Sequence, residues 1–426
     1  MHINHICVIG LGYIGLPTAS TFANQGIRVT GVDSNPDVIN SLNSGKVHIY
    51  EPGLGEVVQK ALSSGKLKIA STPVPADVFI IAVPTPFYED KKADLSYVYS
   101  AAESIVPVLR QGNLVVLEST SPPLTTTEKV LPILEKSGLK GGLEFLLAYS
   151  PERVLPGQIL KELVENARVI GGVTQESAEA GRDLYSTFVK GEIILTDATT
   201  SEMVKLMENT YRDINIAIAN EFSRLADRFG VDIWEAIQIA NRHPRVKILN
   251  PGPGVGGHCI SVDPWFFVEA SPDLTPLIRT ARNVNDSQPE FVLNLVGRAL
   301  NGINGKRIAI LGLAYKPDVD DLRESPAVEV AHLLFKAGAA VVAFEPYKFD
   351  FKMEGVQLMP TLEKTLDRAD AILLLVNHSV FCSLLPADIS KLTPARVIID
   401  VVNGWNGQEW KAAGFDFYRL GDRKNS

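Results

Sequence analysis

Short apolar runs alternate with helix-like segments over roughly the first 195 residues. The runs that read as strands cover residues 5–9, 28–32, 77–83, 113–118, 144–148, 168–170 and 192–195. Alternation of this kind is typical of a mostly parallel sheet with helices on both faces. The pattern predicts an N-terminal α/β domain over residues 1–198.

The pattern changes to long helices from Thr199 onward. Thr199 and Glu202 have the spacing of a capping box, and the helix that they open is predicted to run to about Phe229, before Gly230. Strand-like runs return from Lys306, with further ones at residues 340–344, 371–376 and 397–401. The predicted fold class is therefore α/β, with two Rossmann-like doubly wound domains (1–198 and 301–426) joined by a central helical domain (199–300).

A glycine fingerprint follows the first predicted strand. Gly10, Gly12 and Gly15 have the Gly-x-Gly-x-x-Gly spacing of a dinucleotide-binding turn, and a helix-like segment follows them. The next predicted strand ends at Asp33, where a carboxylate accepts hydrogen bonds from the adenosine ribose. Asp33 is followed by Ser34 and not by arginine, which favours NAD over NADP. The alternative, a glycine turn without a nucleotide, explains none of this agreement.

Two loops at the carboxyl ends of predicted strands add candidate cofactor contacts. They contain Thr85, between two prolines, and Thr120, in a Ser-Thr-Ser-Pro-Pro run. Ligands bind at this edge of a doubly wound sheet. The alternative is that the prolines simply end the strands.

The long predicted helix carries a polar stripe. Lys205, Asn209 and Arg212 are spaced i, i+4 and i+7, so they share one face, while apolar residues between them supply buried contacts. This stripe suggests a site. The alternative is a solvated helix face.

A single cysteine lies in a glycine-rich loop at residues 252–264. Cys259 follows His258 and precedes Asp263 by four residues. A thiolate in a dehydrogenase traps an aldehyde as a thiohemiacetal, which is oxidised to a thioester and then hydrolysed. The other two cysteines, Cys7 and Cys382, complete a set too small for a disulfide framework, and Cys7 reads as a small hydrophobe in a strand. No zinc-type spacing occurs, so we expect no metal.

Composition and charge indicate a soluble enzyme. The 426 residues are 46% hydrophobic with a net charge of −8, which leaves no basic stripe for nucleic acid. The first strand begins within about five residues of the N-terminus, and no apolar run approaches the roughly 20 residues that span a bilayer. We therefore expect a cytoplasmic protein that binds neither nucleic acid nor membrane.

The third region carries a charged loop, residues 316–326, between its first strand and helix. Lys316 and Arg323 are candidate phosphate contacts there. Because its glycine fingerprint is incomplete, this domain is predicted to bind a nucleotide different from the first.

Together these motifs resemble the UDP-glucose/GDP-mannose dehydrogenase family over nearly the whole chain. The resemblance rests on the fingerprint with Asp33, Ser-Pro-Glu-Arg at 150–153, the helix from Glu202 through Arg212, the Cys259 loop and residues 315–326. Residues 241–245 and 251–266 are most similar to the branch that oxidises UDP-N-acetylhexosamines.

The resemblance implies NAD-dependent oxidation of a sugar C6 hydroxyl to a carboxylate, with UDP-N-acetylmannosamine as the first expected substrate. Cys259 is then the nucleophile and Lys205 the general acid/base, while Asn209 and Asp263 position water and the oxygen centre. Glu152 assists proton movement in thioester hydrolysis.

The resemblance also implies binding roles. Around NAD it places the fingerprint glycines with Tyr13, Ile14, Asp33, Thr85, Thr120 and Arg323. The residues that it implies for the UDP-sugar, besides Lys205 and Asn209, are Arg153, Val154, Arg212, His243, Arg245, Gly256, Tyr315 and Lys316. Related enzymes pair through the long central helix, so a homodimer or higher homo-oligomer is expected.

Other functions stay open at this stage. UDP-N-acetylglucosamine and UDP-glucose are alternative substrates. A beta-hydroxyacid dehydrogenase shares the Lys-x-x-x-Asn pair but needs neither thiol nor third domain. A non-catalytic nucleotide-sugar sensor is a further alternative of a different class.

Overall fold

A computed structural model describes residues 3–88, 90–257 and 259–423, so that His258 lies outside the described residues. The chain forms two compact units. The first contains the residues up to Glu208 together with Trp265–Pro272, and the second contains Asn209–Pro264 and the residues from Asp273 onward.

The first unit is built on an eight-stranded sheet. Its strands are β1 (His5–Ile9), β2 (Arg28–Val32), β3 (Leu67–Ala70), β4 (Val78–Ile81), β5 (Leu114–Leu117), β6 (Leu146–Tyr149), β7 (Arg168–Gly172) and β8 (Ile193–Asp197). Their order is β3-β2-β1-β4-β5-β6-β7-β8, and all neighbours are parallel except β6 and β7. The seven predicted strands are present, and β3, at one edge, is additional.

Helices cover both faces of this sheet. They are α1 (Gly15–Asn24), α2 (Pro36–Asn43), α3 (Leu54–Ser63), α4 (Ser96–Ile105), α5 (Leu131–Leu134), α6 (Ile159–Glu165) and α7 (Gln175–Tyr185), with a π-helical turn at Thr125–Val130. Alternate residues of β1 enter two different cores, Ile6 and Val8 on one face and Cys7 and Ile9 on the other. Burial on both faces explains why β1 is apolar from Ile6 to Ile9.

The second unit contains a six-stranded parallel sheet. Its strands are β9 (Arg307–Leu311), β10 (Ala340–Phe344), β11 (Val356–Leu358), β12 (Ala371–Leu374), β13 (Val397–Asp400) and β14 (Asp416–Arg419), in the order β11-β10-β9-β12-β13-β14. This repeats the order of the first six strands of the other sheet. The prediction of two Rossmann-like sheets is confirmed.

The remaining helices complete the chain. They are α8 (Ala198–Phe229), α9 (Ile233–Ala240), α10 (Asp263–Ala270), α11 (Pro276–Asp286), α12 (Gln288–Ala299), α13 (Pro326–Lys336), α14 (Leu362–Leu366), α15 (Ser379–Cys382), α16 (Pro386–Leu392) and α17 (Gly407–Ala412). Over the part of the chain that the structure describes, no helix is both long enough and apolar enough to cross a membrane.

The predicted capping box at the start of α8 is wrong. The helix begins one residue earlier, and the Asp197 carboxylate accepts hydrogen bonds from the backbone N–H and the hydroxyl of Thr200, at 2.9 and 2.6 Å. Glu202 instead accepts hydrogen bonds from Leu124 and Thr126, which lie just after β5. Asp197 is the better cap because its short side chain reaches the first free N–H groups of the helix.

Candidate active site

The glycine turn after β1 has the form of a cofactor cradle. Gly10 has a φ of +92°, and its N–H donates to the Val32 carbonyl at 2.8 Å. A Cβ at Gly15 would lie 1.8 Å from the Gly10 carbonyl oxygen, so the close packing of α1 on the turn requires glycine there. A Cβ at Gly12, by contrast, would meet no atom of residues 3–88, 90–257 or 259–423 within 4 Å. The turn therefore leaves open space over Gly12, where a pyrophosphate would approach.

Asp33 stands beside this turn as predicted. One of its carboxylate oxygens accepts from the Leu11 N–H at 2.9 Å and the other from the Asn35 N–H at 2.9 Å. Each oxygen keeps one lone pair for a ribose hydroxyl. His48, which was not predicted from the sequence, donates a hydrogen bond to the Leu11 carbonyl near Asp33. Burial lowers the pKa of His48, while the Asp33 charge and that hydrogen bond oppose the shift.

The other predicted cofactor residues in this unit lie around the same edge of the sheet. Tyr13 and Ile14 are half-buried in the turn itself, and Thr85 and Thr120 are half-buried in the loops after β4 and β5. No side chain among the described residues caps α1, and its first turn carries no acidic residue, so the positive end of the helix dipole faces the turn without a competing charge. These features fit NAD.

Gly12→Ala and Gly15→Ala form a matched pair that tests the cradle. The Gly12 variant is expected to keep the wild-type melting temperature but to weaken NAD binding about 10- to 100-fold, because the methyl group enters the open space. The Gly15 variant is expected to lose about 3 kcal/mol of stability through its clash with Gly10. Calorimetric titration with NAD and thermal melting would measure both. Unchanged NAD affinity in Gly12→Ala would contradict the assignment.

Lys205 and Glu152 are in contact within the first unit. The Lys205 ammonium group donates to the Glu152 backbone carbonyl at 2.7 Å, and both residues are buried. One turn before Lys205, the buried Glu202 carboxylate accepts hydrogen bonds from the N–H groups of Leu124 and Thr126, each at 2.7 Å. Burial raises the pKa of Glu202 to about 7, against the effect of these hydrogen bonds. Glu202 thus ties the π-helical turn after Thr120 to the helix that carries Lys205.

The segment after Glu152 holds two residues that were predicted to bind substrate. The Arg153 guanidinium donates to both oxygens of Glu208 and to the Ala167 carbonyl, the last at 2.9 Å. Two of its five donor hydrogens stay available for a ligand. Val154 packs against the core of the first unit, so only its backbone is suited to a substrate contact.

In the second unit, three predicted catalytic residues are joined. The Asn209 side-chain amide donates to the Asp263 carboxylate at 2.5 Å, and the Asp263 N–H donates to the Cys259 carbonyl at 2.8 Å. The Asn209 amide, the Asp263 carboxylate and the backbone that carries Cys259 are thus linked at the N-terminus of α10. Helix α8 belongs to the first unit only as far as Glu208, so Lys205 lies in the first unit and Asn209 in the second.

The glycines before Cys259 pack on the charged loop of the second sheet. A Cβ at Gly256 would lie 2.5 Å from the Glu324 carbonyl oxygen, and one at Gly257 would lie 2.7 Å from the Tyr315 ring. The Gly257 N–H donates to the Arg323 carbonyl at 3.1 Å. The close approach that Gly256 permits is therefore to this chain's own backbone, and not only to a ligand as the sequence reading supposed.

The remaining predicted ligand contacts of this unit lie on its surface or in this loop. Arg323 is exposed, and its guanidinium forms a two-pronged ion pair with Asp321, at 2.9 and 2.7 Å. Lys316 is half-buried, with its ammonium group 6.0 Å from the centre of the Tyr315 ring. Three further residues that were predicted to bind the substrate are also exposed: Arg212 on α8 and, in the turn after α9, His243 and Arg245.

Buried polar residues that the sequence reading missed support the cysteine loop. The fully buried Asn220 accepts from the Gly252 N–H at 3.0 Å and donates to Asn285 of α11 at 2.9 Å. Asn285 in turn donates to Asp213, which also binds Arg282. Their helical spacing looks like an ordinary polar face, and no local signal predicts burial.

The second sheet repeats the acidic residue of the first. Glu345 directly follows β10, as Asp33 follows β2, and its carboxylate accepts from the Leu313 N–H at 2.8 Å. Unlike Asp33, Glu345 is fully buried, and its carboxylate also accepts hydrogen bonds from the Ala314 N–H at 3.0 Å and from Nε2 of His378 at 3.2 Å. The one sequence signal for Glu345 was its position directly after a predicted strand. Because groups of the protein itself already bind this carboxylate, the ligand-binding edge of the second sheet differs from the NAD cradle of the first.

The three cysteines, all within the described chain, form no disulfide. Burial raises the pKa of Cys7 to about 11, and burial with the charges of Asp400 and Asp318 raises that of Cys382. Among the described residues, no group of three or more His, Cys, Asp or Glu side chains is arranged to hold a metal ion.

Models of known families match three successive parts of the chain. These are the NAD binding domain of the UDP-glucose/GDP-mannose dehydrogenase family over residues 4–189, its central domain over 199–287 and its UDP binding domain over 309–407.

Curated relatives and solved structures match over nearly the whole length. The chain is 49% identical over 427 residues to a UDP-N-acetyl-D-mannosamine dehydrogenase of Methanocaldococcus jannaschii, covering 99% of this chain and 97% of that protein. It is 48% identical over 416 residues to an NDP-N-acetyl-D-galactosaminuronic acid dehydrogenase of Ralstonia nicotianae, covering 95% and 96%. The structure of a UDP-D-ManNAc dehydrogenase from Pyrococcus horikoshii matches with a TM-score of 0.92 at 44% identity, covering 99% and 100%.

Proposed function

This chain belongs to the UDP-glucose/GDP-mannose dehydrogenase family and is an NAD-dependent nucleotide-sugar 6-dehydrogenase, and we propose that its substrate is UDP-N-acetyl-D-mannosamine. The proposal draws support from the names of relatives that are 48–49% identical over nearly their whole length. The galactosaminuronic acid enzyme at 48% identity makes a UDP-N-acetylgalactosamine-type sugar the second candidate. UDP-N-acetylglucosamine and UDP-glucose complete the alternatives. Membership of the family leaves no support for a non-catalytic sensor.

The observation that carries the mechanism is the linked set of Asn209, Asp263 and Cys259. Oxidising a C6 alcohol to a carboxylate removes four electrons, so two NAD molecules, bound in succession, would each accept one pair as a hydride. The aldehyde formed first must be retained. A thiolate retains it by forming a C–S bond to the carbonyl carbon, and loss of the second hydride from this thiohemiacetal leaves a thioester.

Lys205 is proposed as the general acid/base at the C6 oxygen. As a neutral amine it takes the hydroxyl proton when the first hydride leaves, and the ammonium form so produced then stabilises the oxyanion that appears when the thiolate adds. Its contact with the Glu152 carbonyl fixes the end of a flexible side chain. A fixed donor costs little reorganisation when charge develops.

Thioester hydrolysis is the last proposed step. Asn209 and Asp263 position the water and the oxygen centre, and Glu152 receives the proton of the attacking water. The C–S bond then breaks, the Cys259 thiolate leaves, and the uronate is released. A hydroxyacid dehydrogenase, which transfers one hydride, needs none of these later steps.

A homodimer or higher homo-oligomer is also proposed. In the second unit, α8 exposes the large apolar side chains Tyr211, Ile218, Phe222, Leu225 and Phe229, each 40–71% accessible. Their intervals of seven, four, three and four residues form one stripe, of the kind that another helix covers. Phe222, Leu225 and Phe229 also line an apolar groove of about 240 Å³.

Analytical ultracentrifugation tests the proposed dimer. The wild-type protein should sediment as a dimer, and Phe229→Asp should dissociate it. Leu143→Asp, at an exposed site of the first unit, should leave the dimer intact. A wild-type monomer would refute the proposal.

We retain the three-domain division, 1–198, 199–300 and 301–426, as part of the proposal. The three family domains, matched over 4–189, 199–287 and 309–407, support boundaries near these positions.

The molar yield of NADH from a limiting sugar tests the proposed function. With excess NAD, UDP-N-acetylmannosamine is expected to give two NADH per sugar, far faster than the N-acetylgalactosamine, N-acetylglucosamine and glucose analogues or GDP-mannose. Absorbance at completion gives the yield and the initial slope gives the preference. One NADH per sugar would mean that the aldehyde is released, and a faster alternative sugar would replace the proposed substrate.

A further inference from the structure

A buried charged cluster contacts Glu152 from within the first sheet. Arg168, the first residue of β7, is only 4% exposed. Its guanidinium donates to Ser150 at 2.9 Å, to the Glu152 carboxylate at 2.9 Å and to the Glu118 carboxylate at 2.7 Å. Tyr185 of α7 donates to the same Glu118 oxygen at 2.6 Å, and its ring centre lies 3.9 Å from the guanidinium carbon. We call Arg168, Glu118 and Tyr185 the Arg168 cluster.

Stability alone does not explain this cluster. Two carboxylates share one cation in the interior, and the other oxygen of Glu118 has no hydrogen-bond partner among the described residues. Removing charges from water is expensive, and a well-packed apolar core is often as stable as a buried ion network. An arrangement of this kind, next to a residue with a proposed chemical role, is a candidate for a part in the chemistry.

We propose that Arg168 is a positioning residue, which fixes the orientation of the Glu152 carboxylate, and that Glu118 and Tyr185 hold Arg168 in place. The inference rests on the proposed function, in which Glu152 accepts a proton during thioester hydrolysis. In that step the water oxygen bonds to the thioester carbon, one water proton passes to Glu152, and the electrons of the C–S bond leave with the Cys259 sulfur. A carboxylate that turned away, or that was already protonated, would leave the water unactivated.

Within the cluster, Glu118 is the group that burial brings close to neutral titration. Burial raises the pKa of Glu118 to about 7; the Arg168 charge opposes this shift and the Glu152 charge adds to it. The groups that face the two carboxylates are Arg168 from β7, Tyr185 from α7, the Arg153 N–H, which donates to the other Glu152 oxygen at 2.8 Å, and, through the Glu152 carbonyl, Lys205 from α8. A proton that enters the cluster near neutral pH is therefore taken up by Glu118.

Two substitutions in the cluster test the inference. Arg168→Lys shortens the cation and cannot reach all three acceptors, so hydrolysis should slow about 100-fold. The thioester on Cys259 should then accumulate. Glu118→Gln keeps the shape but replaces a charged acceptor of Arg168 with a neutral one, so hydrolysis should slow in the same direction by a smaller factor, about 10-fold. Mass spectrometry of quenched enzyme and the single-turnover rate of hydrolysis measure both.

The controls separate positioning from a structural role. The rate of the first NADH and the Kd for NAD should stay within about twofold of wild type in both variants, because binding and the first hydride transfer precede hydrolysis. Arg182→Lys, at an exposed arginine of α7, should change nothing. If Arg168→Lys fails to fold, the nearly isosteric Glu118→Gln decides alone. Equal loss in every step, or unchanged hydrolysis in Glu118→Gln, would overturn the inference while two NADH per sugar still upheld the proposed function; one NADH from wild type would overturn both.

Discussion

Cys259→Ser is expected to abolish uronate formation, lowering the rate of complete oxidation by about 10³-fold or more, equivalent to ~4 kcal/mol of transition-state stabilisation. A serine hydroxyl at neutral pH is a far weaker nucleophile than a thiol. The aldehyde from the first hydride transfer would no longer be held covalently. The yield of NADH from limiting sugar should therefore fall from two per sugar to one or less, and no thioester should appear on the protein by mass spectrometry.

The chain offers matched controls for this substitution. Cys382 is exposed, and Cys382→Ser should leave both the yield and the rate unchanged. Cys7 is fully buried in β1, and burial raises its pKa to about 11, so it cannot substitute as the thiolate. Full turnover by Cys259→Ser, with two NADH per sugar, would remove the covalent mechanism.

The parts of the fold that the sequence predicted depend on local chemistry. The strand, glycine turn and helix at residues 5–24 follow from apolar alternation and from the backbone needs of Gly10, and Asp33 follows at the expected distance. The edge strand β3 was missed because it is short and only partly buried, so that Lys68 and its neighbours carry no strong pattern.

The parts that were not predicted depend on partners that are distant in sequence. Glu202 looked like a capping residue for its own helix, but its carboxylate binds backbone groups 76 and 78 residues away. Arg168 was part of a predicted strand and nothing more, because its acceptors lie on Glu118, Ser150 and Glu152. No spacing rule encodes such contacts, since they arise only when the strands assemble.

The cysteine loop was predicted in part from local sequence, and in part it depends on residues that are distant in sequence. Its glycines and its thiol could be read as a site from the sequence alone. The sequence did not show that Gly256 packs against the Glu324 carbonyl and Gly257 against Tyr315. The loop is therefore shaped by the charged segment 315–326 of the second unit, which the sequence reading had assigned only to ligand binding.

Lys205→Met is expected to lower kcat by about 10²- to 10⁴-fold, the range that a general acid/base contributes. Methionine retains the length and the apolar stem of lysine but can neither accept the C6 hydroxyl proton nor stabilise an oxyanion. The Lys205 ammonium group also donates to the Glu152 carbonyl at 2.7 Å, so the variant leaves that buried acceptor unpaired. A stability loss of about 1–3 kcal/mol should accompany the loss of rate. Stopped-flow measurement of the first NADH, alongside thermal melting, would separate the two effects.

A purely structural lysine would give a different result, and NAD binding tells the two apart. If Lys205 is the acid/base, the Kd for NAD should stay within about threefold of wild type while the first hydride transfer slows by orders of magnitude. Lys60→Met, at an exposed lysine of α3 in the same unit, should leave rate and affinity unchanged. Parallel losses of NAD affinity and rate in Lys205→Met would assign the residue to the architecture of α8. Because the first hydride transfer precedes any bond to sulfur, Cys259→Ser should retain it, and this difference between the variants would order the two residues along the reaction.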